Sequence, residues 1–185
     1  GYLANALIMT FGFVVLMGYI ASSPFVFQTI MGLGELGSGL LFAINSLGIF
    51  VGSTLNMRLV ETHGPHRLMR IGLVVLVAGL VVLVLQQVAG LSVWWIEGAL
   101  LLFTIGVGFL FGNSVALALG HAADARGTGS ALIGAAQFLA GALVAPLVGL
   151  AGAASVLPLT LVTATGILVC LLSYQVSQRI GPADT

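Results

Sequence analysis

Charge is what this sequence has least of. Only ten of 185 residues are Asp, Glu or Arg, 5% of the chain against about 25% in an average soluble domain. Ten charged side chains cannot cover the surface of a soluble fold of this size. Lysine is absent, and five arginines balance five acids, so no basic stripe is present to hold nucleic acid. Cysteine is nearly absent too, and the lone Cys170 removes disulfide frameworks and cysteine-based zinc sites together. Alternating strand patterns are missing, which argues against a transmembrane β-barrel. Disorder is excluded for the opposite reason, because 59% hydrophobic residues and a mean hydropathy of +1.21 give abundant surface to bury. What remains is an integral membrane protein.

Charge-free intervals set the number of spans. They run over residues 1–34, 36–57, 71–96, 98–123 and 127–178. A helix needs about 20 apolar residues to cross roughly 30 Å of hydrocarbon. The first four intervals therefore hold one span each, and the last holds two. The expected spans are 2–22, 37–57, 68–88, 94–119, 129–151 and 156–176, with a turn at Gly152-Ala153-Ala154-Ser155 dividing the last pair. Arginines test this count. Arg58, Arg67 and Arg70 follow span two, Arg126 follows span four and Arg179 follows span six. All five thus lie on one side, which under the positive-inside rule predicts cytoplasmic termini in an inner-membrane protein. The chain enters its first span from Gly1 without a charged leader, which suggests half of a larger transporter.

Spans three and six are almost wholly aliphatic, as in IGLVVLVAGLVVLVL at 71–85, whereas the other four carry Gly, Asn, Gln and aromatic residues. That distribution predicts a 3+3 inverted repeat in which each unit gives two cavity-lining helices and one lipid-facing helix. Asn45 and Gln137 are each the ninth residue of their expected spans, two and five, so the repeat would relate the two amides. Glycine supplies 26 residues. Gly48/Gly52 and Gly108/Gly112 are GxxxG pairs, and Gly141, Ala145 and Gly149 form one small stripe. Small residues let helix backbones approach in lipid, either as static packing or as surfaces along which helices rock.

Asn45, Asn113 and Gln137 are amides inside spans, where an unpaired amide costs several kcal/mol. Interhelical hydrogen bonds and cavity-facing ligand contacts both fit them. Glu97 begins span four beside Trp94 and Trp95. It reads as an interfacial acid that snorkels, or as a titrating intramembrane carboxylate. Between spans one and two, SSPFVFQTIMGLGELG would place Pro24, Phe25, Phe27 and Gln28 at the outer mouth. Gly32-x-Gly34-x-x-Gly37 there follows a membrane helix and not a strand, so it is no nucleotide loop. Glu61, His63 and His66 are split by Gly64-Pro65, which breaks the spacing a metal site needs. No G-x-S-x-G, HExxH or Walker sequence occurs, and nothing resembles a soluble enzyme's active site.

Three stretches carry a family resemblance: YIASSPFVFQ at 19–28, LFAINSLGIFVGSTLNMRLVETHGPHRLMR at 41–70 and GTGSALIGAAQFLAGALVAPLVG at 127–149. With them the chain resembles the C-terminal six-helix half of a major facilitator superfamily transporter, most closely the bicyclomycin/chloramphenicol resistance (Bcr/CflA) drug-efflux family. Gly52, Arg58, Gly64 and Arg67 match the second-half copy of the superfamily's cytoplasmic loop motif. Asn56 stands where that motif usually has Asp, which weakens a salt-bridge gate. Gly141-x-x-x-Ala145-Pro146-x-x-Gly149 echoes the antiporter signature of the first half.

The resemblance implies an all-α, twelve-helix exporter driven by the proton gradient, with no cofactor, metal or catalytic residue. Residues 1–185 would be its C-terminal domain, partnered by lipid, an N-terminal six-helix half, protons and a small amphipathic substrate. The coupling acid would lie in the other half. Candidate substrate contacts are Tyr19, Gln28, Asn45, Asn113 and Gln137. The candidate gating loop is Gly52, Arg58, Gly64 and Arg67, and the candidate packing stripe is Gly141, Ala145, Pro146 and Gly149. An uptake or metabolite permease of the same fold is the alternative. A self-contained six-helix enzyme or channel would need polar clusters or a filter that the sequence does not offer.

Overall fold

Glycine stands at several helix ends, with Gly64 and Gly90 capping the second and third long helices. A computed structural model describes residues 1–149 and 155–180. Among the described residues six long helices form: α1 (Tyr2–Pro24), α2 (Glu35–His63), α3 (Pro65–Ala89), α4 (Trp94–Gly120), α5 (Arg126–Gly149) and α6 (Leu157–Ile180). All six are long and apolar enough to cross a bilayer. Gly152, Ala153 and Ala154 of the expected last turn lie outside the described residues. Ser155 Oγ there accepts a hydrogen bond from the Leu157 amide just before α6.

Two connections differ from the sequence-based expectation. Residues 22–37 were expected to link spans one and two, yet the helix runs on through Pro24 as a π-helical turn, Phe25–Ile30. Proline has no N–H for the Ile20 carbonyl, and Ser23 Oγ supplies that bond at 2.9 Å instead. Ser22 Oγ likewise bonds Gly18 O at 2.6 Å, so local hydroxyls carry the helix past the break. Phe27 is consequently buried rather than at an open mouth, while Gln28 stays exposed. The second difference is the connection 58–67 left between expected spans two and three. Here α2 ends at His63 and α3 starts at Pro65, which leaves Gly64 alone between them. Its φ of 75° and ψ of 155° belong to a region that only glycine enters cheaply.

Helices α1 and α4 occupy the centre, with 61% and 56% of their membrane-crossing stretches buried, whereas α2 and α5 have only 22% each. Helix α4 packs on α1, α2 and α3, and α1 packs on α4, α5 and α6. Exchanging α1 with α4, α2 with α5 and α3 with α6 leaves this pairing unchanged. Because each exchanged pair runs in opposite directions, this is the packing of a 3+3 inverted repeat. The main core joins Ile8, Val15 and Tyr19 of α1 to Leu76 of α3, Leu100 and Phe103 of α4, and Ile167 of α6. Helices α3 and α6 bury one aliphatic side in it and expose the other.

Candidate functional site

The seam between α2 and α4 is built from glycine. A Cβ added at Gly52 would strike the backbone of Ile105, and one at Gly108 would come within 2.8 Å of Ile49 O and Ser53 N. Gly48 lies as closely against Thr104. The helices approach to backbone contact, where dispersion and short polar bonds can hold them in lipid.

An amide rung closes the seam toward each end. Asn45 is fully buried, and its Nδ2 donates to Leu41 O at 3.0 Å and to Glu97 Oε1 at 2.7 Å. Asn113 Nδ2 donates to Asn56 Oδ1 at 2.6 Å and to Phe109 O at 2.9 Å. Of the two roles the sequence left open for these asparagines, the structure shows interhelical hydrogen bonds, which tie α2 to α4. One expectation is corrected. Glu97 does not snorkel beside the exposed Trp94 and Trp95, because its partner Asn45 lies ten residues into α2 and draws the carboxylate inward.

Polar capacity is left over at the first rung. Glu97 Oε2, Asn45 Oδ1 and Tyr19 Oη are buried with no hydrogen-bond partner among the described residues. Tyr19, on α1, is 2% exposed and stacks on Phe42 of α2 with centroids 5.6 Å apart. Three helices therefore bring unsatisfied polar atoms into one apolar neighbourhood, with Phe42 as its partly exposed cover. Beside it opens a cavity of about 410 Å³ lined by Ser23, Phe27, Gln28, Ser38 and Phe42 among others. Tyr19, Gln28 and Asn45 of the sequence-based set are gathered here.

The remaining candidates lie elsewhere. Gln137 is half-buried on α5, eleven residues in from Arg126, so the depth match with Asn45 holds to one residue although their surroundings differ. Gly52 is in the seam, while Arg58 and Arg67 are exposed on the two helices that Gly64 joins. Asn56 is buried, so the residue at the motif's Asp position faces α4 rather than an arginine. In the α5 stripe only Gly141 packs, against Phe13 and Met17 of α1. Ala145, Pro146 and Gly149 are exposed, so within this chain the stripe packs through Gly141 alone. His63 bonds Thr62 and Leu59 O, while His66 turns to Gln178 of α6, so these histidines do not converge.

Sequence reasoning missed the ties between α3 and α6. Gln87 Nε2 donates to Thr160 Oγ1 at 2.6 Å near one end, and Tyr174 Oη donates to His66 O at 3.0 Å near the other. Their partners lie 73 and 108 residues apart, and no local pattern announces them.

Residues 2–146 match the family described as Major Facilitator Superfamily. An uncharacterized MFS-type transporter of Bacillus subtilis, YdgK, is 29% identical over 133 residues, covering 71% of this chain and 33% of that protein. A bicyclomycin resistance protein homolog of Haemophilus influenzae is 26% identical over 181 residues, covering 94% of this chain and 43% of that protein. The chain spans less than half the length of these curated relatives. With six membrane-crossing helices in inverted-repeat packing and a family match over most of its length, this multi-pass membrane chain belongs to the Major Facilitator Superfamily.

Proposed function

We propose that this chain is the C-terminal half of a proton-coupled exporter of small amphipathic molecules, working by alternating access in the cytoplasmic membrane. The observation that carries the reading is the pair of outlying helices. The equivalent elements α2 and α5 are the least buried, and they present exposed apolar side chains such as Phe50 on α2 and Phe138 on α5. A second six-helix half would complete a central path along them. The neighbourhood of Tyr19, Phe42, Asn45 and Glu97 then supplies one wall of the substrate path, with Gln28 above it and Gln137 on α5. Polar groups there stand among exposed apolar side chains such as Phe42, Phe50 and Phe138, which suits an amphipathic substrate better than a sugar. The arginine-bearing end faces the cytoplasm by the positive-inside rule. There Arg58 and Arg67 are free to pair with the other half in one of the two states.

Drug export is supported by the relative whose name records bicyclomycin resistance. The test uses the full-length protein in proteoliposomes with an imposed proton gradient. Export of an amphipathic drug should follow the gradient and stop when a protonophore collapses it. Gradient-driven accumulation in the opposite sense would replace this reading with an uptake permease.

A further inference from the structure

We propose that the groove between α3 and α6 at the arginine-bearing end is a binding site for an anionic phospholipid. The groove has a volume of about 320 Å³ and is walled by Val74 and Val77 of α3 and by Leu171, Tyr174 and Gln175 of α6, with Arg70 at its polar end. Two features separate it from an ordinary crevice between helices.

The first is how the cation is held. Tyr174, itself buried, donates its hydroxyl hydrogen to His66 O and accepts from Arg70 Nε at 3.4 Å. Gln178 bonds the His66 ring at 2.9 Å and steadies the same corner. Arg70, an exposed side chain, thus makes one long contact through Nε, and its two Nη groups have no hydrogen-bond partner among the described residues. A guanidinium presented this way matches two oxygens of a phosphate diester. Charge complementarity is one-sided, because α3 and α6 carry Arg67, Arg70 and Arg179 and no acid.

The second feature is where the groove opens. Val74 is 63% exposed, and Leu168 and Leu172 beside it on α6 are exposed as well. The opening therefore gives onto an aliphatic outer surface. From Arg70 to Val77 the wall runs about 10 Å along the helix, enough to take part of an acyl chain below a headgroup held at the end. A water-soluble anion would satisfy the arginine and leave the aliphatic wall uncovered. A neutral or zwitterionic lipid would fill the wall but gain less at Arg70. Only a lipid with net negative charge at the headgroup satisfies both.

The test is native mass spectrometry of the purified full-length protein, released from mixed micelles holding equal phosphatidylglycerol and phosphatidylcholine with the same chains. Phosphatidylglycerol should be retained preferentially, and Arg70→Gln should lower its retention about fivefold, the scale of one basic side chain at an anionic surface. Tyr174→Phe keeps the ring and removes the hydroxyl that aims Arg70, so it should give a smaller fall in the same direction. Val77→Trp should fill the groove and reduce retention of both lipids. Arg126→Gln, at the same end on α5, should change nothing. The proposal is overturned if Arg70→Gln and Tyr174→Phe leave retention intact. It is equally overturned if Arg126→Gln matches the loss, which would mean diffuse attraction, or if millimolar glycerol 3-phosphate displaces the lipid, which would mean a site for free anions.

Discussion

Asn45 and Glu97, 52 residues apart in sequence, share a 2.7 Å hydrogen bond that ties α2 to α4 near the end where both helices begin. The bond turns an acid that its neighbours Trp94 and Trp95 would place at the interface into a part of the helix seam. Removing the amide strands the carboxylate. Asn45→Leu should therefore destabilise the protein by about 1–3 kcal/mol, the cost of leaving a buried polar group without its partner. The double variant Asn45→Leu/Glu97→Leu should recover much of the loss, because replacing both partners with apolar groups removes the stranded charge. A thermal-unfolding cycle in detergent measures this, and strictly additive losses would mean that the pair is not coupled.

The glycine seam makes a second expectation. At Gly52 and Gly108 an added methyl meets backbone, which cannot rotate aside. Gly52→Ala or Gly108→Ala should cost about 1–3 kcal/mol through forced separation of α2 and α4. Gly98→Ala and Gly134→Ala, with open space around the added methyl, should be neutral or slightly stabilising. Equal unfolding temperatures for all four variants would show that α2 and α4 do not touch as described.

Gly64 tests backbone conformation instead of packing. No atom lies within 4 Å of a Cβ built there, so sterics with neighbours cannot explain a penalty. Its φ of 75° with ψ of 155° can, and Gly64→Ala should cost about 1–3 kcal/mol. The readout is protease susceptibility of the α2–α3 junction, which should rise in the variant. Unchanged cleavage would mean that the junction relaxes into another conformation at no cost.

The six helices were legible in the sequence because ten charges among 185 residues leave few places for a membrane helix to end. Their limits were less so. Spans were cut to the hydrocarbon thickness, whereas α2 continues to His63 beyond the apolar core, and Ser23 carries α1 past Pro24. The repeat was legible from amide positions and aliphatic spans, and the helix pairing agrees with it. The site was legible in part. Tyr19 stacks on Phe42, which lines the same cavity as Gln28, and Asn45 lies one turn after Phe42 on α2. The partner of Asn45 was not foreseeable, since only the fold brings Glu97 within 2.7 Å. The same holds for Tyr174 and His66, joined across 108 residues.

Accessibility distinguishes the two amides that the repeat relates. Asn45 is wholly buried in the seam, while Gln137 is half-buried on the outlying α5. With Cys170 replaced by Ser, cysteine at 137 should react with a water-soluble maleimide in the assembled transporter. Cysteine at 45 should react far more slowly. Fast labelling at 45 with none at 137 would place the aqueous path on the other side of α2 and remove Gln137 from the substrate wall.

Glu97→Gln isolates protonation from packing. Asn45 Nδ2 can still donate to the glutamine oxygen, so the bond between α2 and α4 survives. The new amide nitrogen replaces Glu97 Oε2, a buried acceptor without a partner among the described residues, by a neutral donor. The substitution should therefore hold or slightly raise stability, unlike Asn45→Leu, which strands the charge. The resemblance puts the coupling acid in the other half, so the variant should also keep substrate-induced proton release and most drug resistance in the full-length protein. Both readouts are needed, because a stability gain alone would not speak to transport. If Glu97→Gln binds substrate with unchanged affinity yet releases no proton, the carboxylate is itself a coupling site. The unsatisfied atoms around Tyr19 would then be the proton's exchange partners rather than substrate contacts.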